Sequence, residues 1–179
     1  MRFWDSSALL AVILAEPQAP LLATLFREED RGLMWMLSPV EVRSGLCRAH
    51  RERKLDAEGK ARVWEHFIRL RGSLAEVGQV AQVRDIAEQL LEVHPLQAGD
   101  ALQLAAAFLA ERDREERLGF VTLDRRLAEA ASQEGFEVLP PLTGETRVGE
   151  ERPILHRATA RGGAARPRRP RARAARAPL

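Results

Sequence analysis

Two patterns of hydrophobic residues alternate along the chain. Short apolar runs are separated by longer stretches in which apolar residues recur every three or four positions, with charged residues between them. The short runs predict β-strands, and the longer stretches predict amphipathic helices. Strands are expected at residues 2–4, 33–37, 120–123 and 137–139. Strands that alternate with helices are typical of an α/β domain built around a mainly parallel sheet.

Seven helices are expected around these strands. Turn and stop residues mark several of their ends: Pro17 stops the first helix, the segment HPLQAG separates the fifth from the sixth, and Gly135 ends the last. The expected helices cover residues 6–15, 20–29, 38–54, 56–71, 80–92, 98–112 and 125–133. A chain of 179 residues has room for one ordinary core, and we expect residues 1–142 to form a single domain.

The hydrophobic pattern stops near the C-terminus. Residues 152–179 contain nine Arg and no Asp or Glu, and they are rich in Pro, Gly and Ala. Such a segment buries too little surface to offset its chain entropy, so residues 143–179 are predicted to be a disordered tail. The other 151 residues carry 19 basic and 26 acidic side chains, a net charge of −7. The predicted domain is therefore acidic and the tail is basic.

The expected location is the cytoplasm. The single cysteine, Cys47, permits no internal disulfide and fits a reducing compartment. The longest apolar runs are about half as long as a membrane span requires, so no membrane contact is expected. The N-terminus shows no basic region followed by an apolar core and a cleavage site, and no signal peptide is expected.

Four acidic residues lie where helices begin, and each has an ordinary structural explanation. Asp5 and Asp124 stand before helices, where their side chains can act as N-caps. Asp100 falls in the opening turn of its helix, where a negative charge complements the helix dipole. The sequence SPVE matches a capping box, in which Ser38 caps the helix and Glu41 reaches back.

The same four residues are also placed to share one site. In an open parallel sheet a crevice lies beyond the carboxyl ends of the strands, and Asp5, Asp124 and Glu41 all follow strands. Asp100 reaches this crevice only if its helix starts near the same edge. Several carboxylates in one cleft repel one another, and Mg²⁺ or Mn²⁺ would neutralise them. Such ions can activate water, so the implied chemistry is hydrolysis of a phosphodiester.

Four segments carry a resemblance to a known family. FWDSSALLAVILAEP, SPVEVRSGLCRA, AGDALQLAAA and FVTLD, in this order and spacing, resemble the acidic motifs of the PIN domain family, more closely its ribonuclease toxins of the VapC type. The resemblance covers roughly residues 1 to 142. It implies a three-layer α/β/α sandwich with a short, mainly parallel central sheet. It also implies metal-binding and catalytic roles for Asp5, Glu41, Asp100 and Asp124, with Ser7 and Thr122 as supporting polar residues.

The resemblance further implies an activity and its partners. The activity is Mg²⁺- or Mn²⁺-dependent endoribonuclease cleavage, in which metal-activated water attacks the RNA phosphodiester. The implied partners are a second copy of the chain, forming a homodimer, and a small antitoxin whose extended segment covers and inhibits the cleft. Two features depart from the family: Gly99, where many relatives carry a larger residue and where we expect little effect, and the Arg-rich extension.

Basic residues suggest where RNA could bind. Arg43, Arg48 and Arg51 lie on the helix that contains Glu41, and they either form a solvated face or contact the RNA backbone. The Arg-rich tail allows the same two interpretations, because the chain uses Arg far more often than Lys throughout. Contact between the tail and RNA would weaken steeply with salt.

Two other functions fit parts of the sequence. A non-catalytic RNA-binding protein could keep the fold and use the basic tail for affinity, although the presence of all four acids argues against it. A phosphatase with Asp5 as nucleophile is the second alternative, since Asp5 follows the first strand. That chemistry usually needs a second Asp two residues later, where this chain has Ser7.

Overall fold

The computed structural model describes residues 1–28, 31–112, 114 and 117–141. These residues form five strands and seven helices. In chain order they are β1 Arg2–Trp4, α1 Ser6–Ile13, α2 Ala19–Arg27, β2 Gly32–Trp35, α3 Ser38–Arg51, α4 Ala57–Arg71, β3 Leu74–Val77, α5 Val80–Val93, α6 Ala98–Arg112, β4 Gly119–Val121, α7 Arg125–Gln133 and β5 Glu137–Leu139.

All five described strands are parallel, in the order β3-β2-β1-β4-β5. The chain starts at the central strand and moves outward to β3, then crosses over the sheet to continue with β4 on the other side of β1. In such sheets the ligand crevice opens at the point where the strand order reverses. Here that point lies beyond the carboxyl ends of β1 and β4.

The sheet is covered by helices on both faces because its side chains alternate. Phe3 and Phe120 are paired across β1 and β4, with stacked rings 5.6 Å apart, and they belong to a core shared with α5, α6 and α7. Trp4 and Val121, one residue further on, belong to a second core with α1 to α4. The expected three-layer α/β/α sandwich is therefore confirmed.

The edge strand β3 was not predicted from the sequence. Its sequence is LAEV, and Ala and Glu are both uncommon in strands. Four register pairs with β2 define it, and Glu76 accepts hydrogen bonds from Arg71 at the end of α4. The strand exists because β2 offers a free edge, which is a tertiary cause that its own residues do not reveal.

Helices α1 and α3 end earlier than expected, at Ile13 and Arg51. Each is followed by a non-glycine residue in the left-handed region, Ala15 (φ 55°) and Arg53 (φ 59°). The next backbone N–H bonds to the carbonyl five residues earlier, as in a Schellman motif. Because no glycine marks either end, the sequence pattern extends these helices too far.

The tail assigned to residues 143–179 lies outside the described residues, so the division into domain and tail stays a prediction. None of the helices in the described ranges is long and apolar enough to cross a membrane.

Candidate metal centre

The strand order brings the ends of β1 and β4 together. Asp5 directly follows β1, and its backbone N–H donates to the carbonyl of Val121 at the end of β4, at 2.9 Å. Asp124, the N-cap residue of α7, lies three residues after Val121. Asp5 and Asp124, which are distant in sequence, therefore flank one crevice. We call Asp5, Glu41, Asp100 and Asp124 the acidic cluster.

The Asp5 side chain is almost completely buried, with 3% of the residue exposed. Its Oδ2 accepts three hydrogen bonds, from the Ser7 backbone N–H (3.1 Å), the Ser7 hydroxyl (2.5 Å) and the Thr122 hydroxyl (2.9 Å). Among the described residues, its Oδ1 has only a long contact of 3.5 Å with the Ser6 hydroxyl. Ser7 and Thr122, both expected as supporting polar residues, thus orient Oδ2 of Asp5. Within the described part of the chain, Oδ1 accepts no short hydrogen bond.

The two hydroxyl groups also join the β1 and β4 loops. Ser7 Oγ accepts from the backbone N–H of Leu123 at 3.0 Å, and Thr122 Oγ1 accepts from that of Asp124 at 3.1 Å. Each hydroxyl has a single hydrogen, which it donates to Asp5. Both hydroxyl hydrogens are therefore used on Oδ2 of Asp5, and such hydrogen bonds are stronger when the carboxyl is ionised.

Ionising Asp5 nevertheless costs free energy. Burial raises the pKa of Asp5 from 3.8 to about 6, against the hydrogen bonds from Ser7 and Thr122 that stabilise the charged form. The negative charge of Glu41 raises this pKa further. Glu41 therefore lies within electrostatic range of Asp5, although Glu41 is on helix α3 and not directly at the end of a strand.

Asp100 is half-buried in the first turn of α6. Burial raises the pKa of its carboxyl, and the negative charges of Asp124 and Glu41 raise it further. A hydrogen bond from the backbone of Gln97 and the positive charge of Arg126 oppose the rise. Asp100 is thus within electrostatic range of Asp124 and Glu41, and Glu41 is in turn within range of Asp5.

The capping box expected at SPVE is wrong. Helix α3 has Leu37 at its N-cap position and no side-chain capping hydrogen bond. Ser38 lies inside the helix and pairs with Gln103, and Glu41 accepts from Gln103 Nε2 at 2.6 Å. The carboxylate of Glu41 is therefore turned toward α6 and is not used to close its own helix.

The other three acids keep their expected local roles. Asp5 caps α1 through the backbone N–H of Ser7, and Asp124 caps α7 through that of Leu127 at 2.9 Å. Asp100 accepts from the backbone of Gln97 at the start of α6. These bonds also fix the carboxylates at the positive ends of three helices, where a negative charge is stabilised.

Sequence reasoning missed two residues beside the acidic cluster. Gln103 follows Asp100 by three positions and so lies on the same side of α6, in an otherwise apolar stretch. Arg126, two residues after Asp124, is the cation that acts on Asp100. Two features of the sequence could have pointed to them. Gln103 is an isolated polar residue in an apolar helical stretch, and Arg126 is a basic residue two positions after Asp124.

The donor set fits a hard divalent cation. Among the described residues, no three His, Cys, Asp or Glu side chains are already arranged to hold a metal ion. However, the side chains that converge on this edge offer only oxygen ligands, which Mg²⁺ and Mn²⁺ prefer. Burial, and to a lesser extent neighbouring negative charges, raise the pKa values of Asp5 and Asp100, and a bound cation would lower both.

The three arginines considered for RNA binding differ in position. Arg43, Arg48 and Arg51 are all exposed on α3. Arg43 lies over the Trp64 ring of α4, 4.5 Å from its centroid, and so has a partner within the protein. Arg48 lies two helical turns after Glu41 on the same side of α3. Arg48 is therefore better placed than Arg43 to reach a molecule bound at the acidic cluster.

An apolar groove of about 750 Å³ lies away from this site, between α1, α2 and α4. Its lining includes Val12, Pro17, Phe26 and Leu70, and no member of the acidic cluster. The chemistry of the acidic cluster therefore does not depend on this groove.

Comparison with known proteins identifies the family. No match is found among proteins of curated function. The family model of the PIN domain matches residues 2–133, which contain the four members of the acidic cluster together with Ser7 and Thr122. Members of this family are generally metal-dependent nucleases. The match spans most of the chain, and the chain belongs to the PIN domain family.

Proposed function

We propose that the protein is a metal-dependent endoribonuclease that hydrolyses RNA phosphodiester bonds. The observation that carries the proposal is Asp5, a buried carboxylate held at a strand end by two hydroxyls, within electrostatic range of another acid. Keeping a buried acid among other acids is costly for the fold alone. The cost is understandable if the cluster binds a cation.

The proposed roles involve the acidic cluster and the two hydroxyl groups beside it. Asp5, Glu41, Asp100 and Asp124 would hold Mg²⁺ or Mn²⁺, which when bound supplies a site for activating water and for stabilising phosphate charge. Ser7 and Thr122 orient Asp5 by donating to its Oδ2. These hydroxyls leave Oδ1 as the oxygen available to a ligand.

RNA needs positive charge near a strongly acidic site. Residues 1–151 carry a net charge of −7, which repels phosphates. Arg48 and Arg51 are exposed on α3, and Arg126 is exposed on α7 close to Asp100. Contacts from these residues to the RNA backbone would offset the repulsion without selecting a base sequence.

The first experiment is RNA cleavage by the purified full chain with Mg²⁺ or Mn²⁺. Asp5→Asn and Asp100→Asn each remove one charge from the acidic cluster, and both should abolish cleavage. Asp85→Asn is the matched control, because Asp85 is exposed on α5 and pairs with its neighbour Arg84. Cleavage that survives both cluster substitutions would rule out this site.

The biological role we assign is that of the toxin in a type II toxin–antitoxin system. Its support is the order and spacing of the four acidic motifs, which resemble VapC-type toxins. The chain would act as a homodimer, and a small antitoxin would cover the acidic cluster with an extended segment. The test is whether the preceding reading frame encodes a small protein that binds this chain and blocks its cleavage of RNA. A solitary gene whose product does not arrest growth would contradict the role.

A further inference from the structure

Gln103 stands out on α6 as a polar side chain buried in an apolar helix. All residues between Asp100 and Glu111 except Gln103 are Ala, Leu or Phe. Gln103 is 1% exposed. A buried amide costs free energy unless its oxygen and nitrogen both find partners, so the contacts of Gln103 explain its presence.

Those partners lie on α3. Gln103 Nε2 donates to Glu41 Oε2 at 2.6 Å and approaches Ser38 Oγ at 3.0 Å, while Gln103 Oε1 accepts from the Ser38 hydroxyl at 3.2 Å. Because an ionised carboxylate only accepts hydrogen bonds, the amide must present nitrogen to Glu41. The Ser38 hydroxyl, which can both donate and accept, satisfies the amide in this orientation. One side chain thus ties the first turn of α3 to α6.

The other oxygen of Glu41, Oε1, lies beside Gly99 of α6. A Cβ on Gly99 would stand 3.3 Å from Glu41 Oε1, which is closer than ordinary van der Waals contact. The proximity of position 99 to Glu41 is not visible in the sequence, and the expectation that glycine there matters little stays a prediction. Gln103 holds one oxygen of Glu41, and the absence of a side chain at position 99 leaves space beside the other.

We propose that Gln103 is a positioning residue, which holds Glu41 in the orientation needed to bind the divalent cation. The inference rests on the proposed metal-dependent function. An amide suits this task because it donates a hydrogen bond without carrying charge. Lysine or arginine in its place would fix Glu41 too, but would also neutralise it and repel the cation. Asp100, on the same side of α6, would then approach the cation together with Glu41.

The test measures Mn²⁺ binding to the full chain without RNA, by the electron paramagnetic resonance signal of free Mn²⁺. Gln103→Met keeps the side-chain length and removes the donor, and Gln103→Asn keeps the amide but withdraws it by one methylene. Each should weaken Mn²⁺ binding about tenfold, as is typical for partners of metal ligands. Gln89→Met is the control, because Gln89 is exposed on α5.

A double-mutant cycle separates positioning from a general structural effect. If Gln103 acts through Glu41, Gln103→Met should weaken Mn²⁺ binding in the wild-type chain and have little further effect in a Glu41→Ala chain. Equal losses in both backgrounds would overturn the proposal. If Gln103→Met lowers the unfolding temperature below the range of the assay, the Gln103→Asn chain supplies the cycle.

The outcomes also distinguish this inference from the proposed function. Suppose that the wild-type chain binds Mn²⁺ and cleaves RNA, and that both Gln103 variants bind Mn²⁺ as tightly as Gln89→Met does. This result would overturn the positioning role of Gln103 and leave the proposed function intact. A folded wild-type chain that does not bind Mn²⁺ would overturn both.

Discussion

At the scale of single residues, Asp5 has the most costly environment in the site. It is buried, it lies near Glu41, and its three hydrogen-bond donors only partly compensate for lost hydration. The pKa of about 6 expresses this balance. Asp5 is thus ionised at neutral pH, but at the expense of stability in the absence of a cation.

This balance predicts how stability varies with pH. Between 3.8 and about 6 the folded chain retains the Asp5 proton while the unfolded chain releases it, so rising pH favours unfolding. The contribution lost across this window is about 3 kcal/mol. The measurement is the free energy of unfolding in urea, with chelator, for the wild type and for Asp5→Asn. The difference between the two chains should change from pH 4 to pH 7, and a constant difference would contradict the prediction.

Thr122 offers a second prediction at this scale. Thr122→Val removes the donor to Asp5 and leaves the Asp124 backbone N–H without its acceptor, at nearly constant volume. We expect a loss of about 1–3 kcal/mol in the free energy of unfolding at neutral pH. The Asp5 pKa should also rise further, since a hydrogen bond to the charged form is lost. Thr122→Ser, which keeps the hydroxyl, should stay close to wild type in both measurements.

At the scale of elements, the acidic residues at helix starts have two roles, one in capping the helix and one in the acidic cluster. Asp5, Asp100 and Asp124 each satisfy backbone N–H groups at the start of a helix and also belong to the acidic cluster. The structural and functional explanations are therefore compatible for these residues. Glu41 differs, because its bond is to Gln103 and not to the start of α3.

The capping role and the proposed metal-binding role can be separated at Asp124, the N-cap residue of α7. Asn caps a helix about as well as Asp, so Asp124→Asn should leave the free energy of unfolding within about 0.5 kcal/mol of wild type. The same change removes a charge from the acidic cluster. RNA cleavage should fall at least about a hundredfold, because even indirect partners of metals contribute up to that much. Asp124→Ala should lose cleavage and also about 1 kcal/mol of stability. Full cleavage by Asp124→Asn would exclude Asp124 from the site.

The limits of sequence reasoning also appear at this scale. Helices α6 and α7 and strand β5 were predicted at their observed bounds, because clear turn signals or long hydrophobic patterns mark them. The edge strand β3 and the ends of α1 and α3 were not, because strand pairing and left-handed caps without glycine determine them. The acids were identified from local motifs. The bond between Glu41 and Gln103 joins helices that only tertiary packing brings together.

At the scale of the whole molecule, charge is divided between the domain and the predicted tail. Replacing the nine arginines of residues 152–179 by glutamine removes the basic segment and leaves residues 1–151 unchanged. If the tail contacts RNA, binding measured in chelator should weaken, and its dependence on salt concentration should become shallower. The position of metal-dependent cleavage should not change.

The same variant tests the non-catalytic alternative. Under that alternative the wild type binds RNA through the tail but does not cleave it, and the arginine-free chain loses binding. A salt dependence identical in the two chains would instead show that the tail does not contact RNA.

The order of strands also determines when the acidic cluster can form during synthesis. Central strand β1 is made first, but its neighbour β4 lies more than a hundred residues later. Until β4 leaves the ribosome, one edge of β1 has no partner and Asp5 lacks the Thr122 hydroxyl. Contacts between such distant segments are slow to form. A chain truncated before residue 100 therefore lacks Asp100, Asp124 and Thr122 and could not form the proposed site.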